Sequence, residues 1–216
     1  MRSTQGLAGL VAAVALVVWL AGTAAAESLV VLPRPGQVGL SVGGSYGVAL
    51  KSGTIGEQFG DGEGMNVRLR YRARYERGFG LSFESHTRYV RDLETVDDYW
   101  TAGDDAYPPD SSVAYEKASI FLYGVDFYQF FQTRTKTPMM LSVGAGLAHP
   151  AFTLNDGDTQ YPLQDGPYLA VGAGLERFFW RGLAFDLGAR YTAIFLGGRT
   201  THDLHASLGL IYYASL

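Results

Sequence analysis

The chain has 216 residues, no cysteine and a formal net charge of -4. That length suffices for one domain with a sizeable core. The missing cysteines exclude a disulfide framework, a thiolate metal centre, a cysteine nucleophile and a lipoprotein anchor, and the acidic balance lacks the basic footprint of nucleic-acid binding.

Residues 1–26 read as a secretory signal peptide. Arg2 supplies the positive start, an apolar run follows from Leu7 to Leu20, and Ala24-Ala25-Ala26 gives the small-residue site, so cleavage is expected after Ala26. The run is shorter than the ~20 residues a spanning helix needs. No later stretch is long and apolar enough to cross a membrane as a helix. A membrane-embedded mature chain must therefore be a closed barrel, because lipid cannot satisfy an open sheet edge. Residues 27–36, with Pro33 and Pro35, form an extended periplasmic leader, and the barrel domain is expected over 37–216.

From there alternation with period two dominates. Val38, Leu40, Val42, Tyr46 and Val48 alternate with Gly39, Ser41, Gly43, Ser45 and Gly47. Met65, Val67, Leu69, Tyr71, Ala73 and Tyr75 alternate with Asn66 and the row Arg68, Arg70, Arg72, Arg74. After a turn placed at Glu76-Arg77-Gly78, Phe79, Leu81, Phe83 and Tyr89 alternate with Gly80, Ser82, Glu84, His86 and Arg88. Five more runs follow at about 115–130, 138–149, 167–179, 182–196 and 202–213, making eight, an even number as single-chain bacterial barrels have. The connections alternate too. Segments 51–63, 91–114 and 150–166 are long and rich in Gly, Asp and Pro, whereas 76–78, 131–137 and 180–181 are short. Long external loops and short periplasmic turns are the outer-membrane pattern. Tyr75, Phe79, Phe130, Phe131, Phe178, Phe179, Trp180, Tyr212 and Tyr213 all fall at the short-turn end, where they are expected to ring the membrane interface.

The same alternation fits a secreted β-sandwich or a lipocalin-like barrel with its apolar face inward. The membrane reading is favoured by the Gly and Ser density of the opposite row, which suits a narrow lumen, and by the clustering of aromatics at one end. The predicted fold is thus all-β, an eight-stranded antiparallel up-and-down transmembrane β-barrel.

Sidedness decides the chemistry. An Arg facing lipid at the midplane costs roughly 2–4 kcal/mol, so the arginine row must face the lumen. Reflecting the second run onto the third about residue 77 sets Arg70 opposite Glu84 and Arg68 opposite His86. Asp126, Glu176 and Asp186 fall on inward positions, and Arg88 and Arg190 join the cationic side. The expected lumen network is Arg68, Arg70, Arg72, Arg74, Glu84, His86, Arg88, Asp126, Glu176, Asp186 and Arg190. An eight-stranded barrel is usually just filled by side chains, so a salt-bridge filling is expected ahead of an anion-selective or gated pore. Loop 91–114 carries seven carboxylates, Asp92 to Asp110, with Tyr99, Trp100 and Tyr107; it is a solvated loop, or else a weak divalent-cation or ligand surface. No spacing there or elsewhere matches a metal motif, and no cofactor is expected.

The run Thr137 to Leu147 (TPMMLSVGAGL) resembles the fifth strand of OmpA/OmpW-like outer-membrane barrels. Gly174 to Phe179 with Leu183 to Thr192 is similar to their penultimate hairpin, and the resemblance extends over nearly all of 37–213. It implies insertion by the barrel assembly machinery and contact with outer-membrane lipid and lipopolysaccharide, as a monomer. Two departures stand out: Ala214-Ser215-Leu216 replaces the usual terminal aromatic, and no peptidoglycan-binding domain follows. His205-Ala206-Ser207 resembles the His-x-Ser pair of PagL-type lipid A deacylases, but Leu208 stands where those continue with Asn, and no acid is placed to orient His205. The expectation is therefore a non-enzymatic outer-membrane barrel with a structural or surface-interaction role. A narrow OmpW-like channel for small or hydrophobic solutes is the alternative, and a PagL-like enzyme comes third.

Overall fold

The computed structural model describes residues 31–50, 59–89, 115–154, 160–162, 164–197 and 199–215. The segment expected to be a signal peptide and the acidic loop 91–114 lie outside the described residues. Nine strands follow in chain order: β1 (Gln37–Ala49), β2 (Asp61–Arg72), β3 (Arg77–Tyr89), β4 (Tyr115–Phe131), β5 (Met139–Leu154), β6 (Gln160–Pro162), β7 (Gly166–Trp180), β8 (Leu183–Leu196) and β9 (Arg199–Ser215). All pairings are antiparallel, and β1 pairs with β9 from Gln37↔Ser215 to Ala49↔Asp203. The sheet therefore closes on itself with eight staves. Closure leaves no unpaired edge, the condition lipid imposes.

The sequence places the staves but misses β6, a three-residue strand inside the segment read as the loop 150–166. It pairs with Ala151, Phe152 and Thr153 on an extension of β5. The staves run to between 12 and 17 residues, beyond the ~9–11 that cross a bilayer.

The second turn also differs. Arg72 pairs with Gly78 and Asn66 with Glu84, so β2 and β3 reflect about residue 75, not 77. The Arg74 amide donates to the Arg77 carbonyl at 3.0 Å, and the bend sits on Tyr75-Glu76. The reason lies in the glycine. Gly78 is a lumen-facing strand residue, where a methyl group would stand 2.8 Å from the Tyr71 carbonyl and 3.2 Å from the Phe130 ring. It supplies space inside the barrel rather than a turn. The β7–β8 hairpin uses its glycine the other way: Arg181 and Gly182 both have positive φ, 28° and 83°, as a two-residue turn matched to strand twist demands.

The faces segregate as parity dictates. Leu40, Met65, Leu81, Val125, Val143 and Leu169 point outward and are 45–59 % exposed. A soluble monomer rarely shows so large a continuous apolar surface; here it encircles the barrel, as the outer face of a membrane barrel does. The girdle expected at the short-turn end is divided. Tyr75, Phe79, Phe131, Trp180 and Tyr212 are exposed, but Phe130, Phe178 and Tyr213 are buried. These three sit at inward parity, and they floor the lumen.

Candidate functional site: the lumen

Inward positions of six strands fill the barrel with charge. Five arginines (Arg68, Arg70, Arg72, Arg88, Arg190) and five carboxylates (Glu84, Asp126, Glu176, Asp186, Asp203) are buried there, along with His86 and His205. The numbers balance, which is the condition for holding ions in a dry interior.

Near the short-turn end, Arg70 bridges Glu176 at 2.9 Å and Asp186 at 2.8 Å, while Arg72 holds the second Glu176 oxygen at 2.6 Å. The Arg70–Asp186 contact is bidentate, through Nη1 at 3.1 Å and Nη2 at 2.8 Å, the geometry that suits a guanidinium fork. Ser41 donates to Asp186 at 2.6 Å and Tyr213 to Glu176 at 2.7 Å. Arg72 also lies 3.3 Å above the centroid of the Phe130 ring, so the aromatic floor and the ionic layer are one packed unit.

Higher in the barrel Glu84 is a hub. Its Oε1 accepts from Arg68 Nη2 at 2.8 Å and Nε at 3.2 Å. Its Oε2 faces His86 Nε2 at 3.2 Å and His205 Nε2 at 3.4 Å. Arg190 binds Asp126 at 2.8 Å, and Tyr128 donates to the other Asp126 oxygen at 3.0 Å. Arg88 takes Asp203 bidentately, both contacts at 2.9 Å, and Asp203 in turn stands 3.2 Å from His205 Nδ1. A void of about 10 Å³ among Arg68, Arg70, Tyr128, Ser142 and Arg190 remains, room for about one water.

Of the residues proposed for the lumen, the structure brings Arg68, Arg70, Arg72, Glu84, His86, Arg88, Asp126, Glu176, Asp186 and Arg190 together. Arg74 is a correction: it lies in the turn between β2 and β3 and is exposed, because the bend comes two residues earlier than the sequence suggests. The partners also differ from those read by reflection. Arg68, not Arg70, takes Glu84, and Arg70 reaches across the lumen to β7 and β8. Asp203 was missed, although its parity with His205 places it inward. Tyr128 and Tyr213, the phenols that complete the carboxylate shells, were missed as well.

The His-x-Ser pair lies on this inner face. His205 turns Nδ1 to Asp203 and Nε2 toward Glu84, and Nε2 makes no hydrogen bond among the described residues. Ser207 therefore receives no base from it, and neither side chain faces the lipid where an acyl substrate would lie.

A closed barrel of eight antiparallel staves with an apolar outer belt and an ionic lumen has the fold of the small outer-membrane β-barrels. Among solved structures the chain is similar to Neisserial surface protein A, with a TM-score of 0.60 and 15 % identity, covering 82 % of this chain and 98 % of that one. It is similar to the outer membrane protein OprG of Pseudomonas aeruginosa at TM-score 0.50 and 13 % identity, covering 85 % and 98 %. The outer membrane protein AlkL, solved in lipid bilayers, gives 0.51 and 13 %, covering 88 % and 96 %. At such identities the likeness is one of fold. No protein-family model and no curated protein sequence matches the chain.

Proposed function

We propose that this protein is an exported, monomeric outer-membrane barrel whose lumen is a closed strut and whose working surface is its long-loop end. In this reading residues 1–26 are removed on export, the barrel assembly machinery inserts the rest, and lipopolysaccharide surrounds the outer rim. One observation carries it: among the described residues the lumen holds ten buried charges paired among themselves, and the void between Arg68, Tyr128 and Arg190 is only about 10 Å³. A conducting path would need several of those ion pairs to part, leaving buried charges without partners, which costs about 3–5 kcal/mol each. Staves longer than the ~9–11 residues that cross a bilayer support the same reading. In barrels of this class specificity resides in the long loops.

Planar-bilayer recording of the refolded barrel is the test. The proposal expects no discrete current steps from wild type, and steps from a variant with Arg70→Ala and Glu176→Ala together. Steady stepwise current from wild type would replace the strut with the narrow-channel reading.

A further inference from the structure

The Glu84–His86–His205 cluster is unlike the rest of the lumen. Elsewhere each carboxylate oxygen meets an arginine or a hydroxyl. Here Glu84 Oε2 meets two imidazole nitrogens, His86 Nε2 at 3.2 Å and His205 Nε2 at 3.4 Å. All three residues are buried, at 4 %, 1 % and 2 % exposure.

Asp203 fixes what His205 can offer. With its carboxylate held by Arg88 through both oxygens, it stands as acceptor 3.2 Å from His205 Nδ1. A neutral His205 then carries its proton on Nδ1 and directs a bare Nε2 lone pair at a carboxylate oxygen. His205 Nε2 has no hydrogen-bond partner among the described residues, and neither has His86 Nδ1. Two acceptors that face each other in the buried lumen repel unless a positive centre, a proton or a metal ion, lies between them. A carboxylate that orients one imidazole nitrogen while the other is presented to a common point is the arrangement that surrounds bound transition metals.

The distances fit. Zinc holds nitrogen and oxygen ligands at about 2.0–2.1 Å in a tetrahedron, which puts neighbouring ligand atoms roughly 3.3–3.4 Å apart. The two edges from Glu84 Oε2 are 3.2 and 3.4 Å; one ligand atom from each of the three residues lies within 4.8 Å of the others, so a bound ion would draw the two imidazoles closer together. The wall is cut to let the rings converge. His86 on β3 and His205 on β9 are separated by β2 and β1, and their partners on those strands are Gly64 and Gly47. A methyl group at Gly64 would stand 2.6 Å from His86 Nδ1, and one at Gly47 would stand 2.5 Å from His205 Cβ. The imidazoles thus lie over a floor of bare backbone.

We propose that Glu84 Oε2, His86 Nε2 and His205 Nε2 bind one divalent transition-metal ion, of the zinc class, within the lumen. Asp203 and Arg88 orient His205 behind it, Arg68 retains the other Glu84 oxygen, and water takes the fourth position. The ion ties β3 to β9 across β2 and β1.

The test uses the full folded barrel in detergent, stripped with chelator, with His149→Gln and His202→Gln to remove the remaining imidazoles. Cobalt(II) is titrated first and zinc second. The proposal expects one cobalt per barrel with the intense visible absorption of a four-coordinate ion, displaced stoichiometrically by zinc, and a higher thermal midpoint with zinc. Adding His86→Gln, whose ring has no hydrogen bond outside the cluster to lose, should weaken binding about tenfold or more while the heat-dependent gel shift of the folded barrel persists. If that variant does not fold, the cobalt spectrum of the parent barrel decides alone. Absence of cobalt uptake, a weak octahedral spectrum, or equal binding by folded His86→Gln would overturn the site. Nitrogen-15 spectra showing His205 protonated on both nitrogens and unmoved by zinc would assign the contact with Glu84 to an imidazolium ion pair instead.

Discussion

Arg72 finds a carboxylate within ion-pair distance only in Glu176 among the described residues, and its side chain is 3 % exposed. Glu176→Gln would leave that guanidinium uncompensated, and the loss should be about 3 kcal/mol or more. Tyr213→Phe removes one hydroxyl donor from the same carboxylate and should cost about 1.5–3 kcal/mol. Arg74→Ala, only two residues further along the same row, should change stability by no more than about 0.5 kcal/mol, since Arg74 is exposed in the turn. Urea-unfolding midpoints of the refolded barrels measure all three; equal effects of Glu176→Gln and Arg74→Ala would contradict the network as placed. Within the strands alternation tells which side of the wall an arginine takes, because side-chain direction repeats every two residues; it fails at Arg74, which lies in the turn. It could not tell which carboxylate each would meet, because partners lie across the barrel and are set by strand stagger. Hence reflection matches Arg70 to its hairpin neighbour, and Tyr213 reads as a girdle aromatic where it is a hydroxyl donor.

Strand composition solves a problem of volume. Inward glycines leave room for long side chains from neighbouring strands: a methyl group at Gly144 would collide with the Asp126 carboxylate and come within 2.7 Å of Arg190 Nη2. Gly144→Val should therefore break the Arg190–Asp126 pair and sharply lower the folded fraction on a heat-shift gel. Val143→Ile, on the outward face next to it and 54 % exposed, should leave that fraction unchanged. If both variants fold equally well, lumen packing is looser than described. The alternating small residues were legible as a thin inner face. Their pairing with particular large residues was not, because it depends on register: the glycine at 78 looked like a turn and is a strand residue. The short β6 was illegible for a related reason. Three residues carry too little period to be told from loop, and they are strand only because β5 runs on to meet them.

At the scale of the molecule, even strand count, alternating loop lengths and the absence of any long apolar helix jointly specified a closed membrane barrel. Each is a global constraint that survives errors of a few residues at strand ends. The lumen was legible as a charged interior and not as a geometry, and the histidine pair was legible only as a motif. Everything rests on sidedness, which lipid-borne photolabelling reads without any mutation. The barrel is reconstituted in bilayers, treated with a membrane-soluble carbene precursor, and mapped by mass spectrometry. The account expects label on Leu40, Leu81, Val125, Val143 and Leu169, with Tyr128, Met140 and Tyr168, buried inside, left unmodified. Label on those inner residues, with the outer leucines and valines spared, would contradict it.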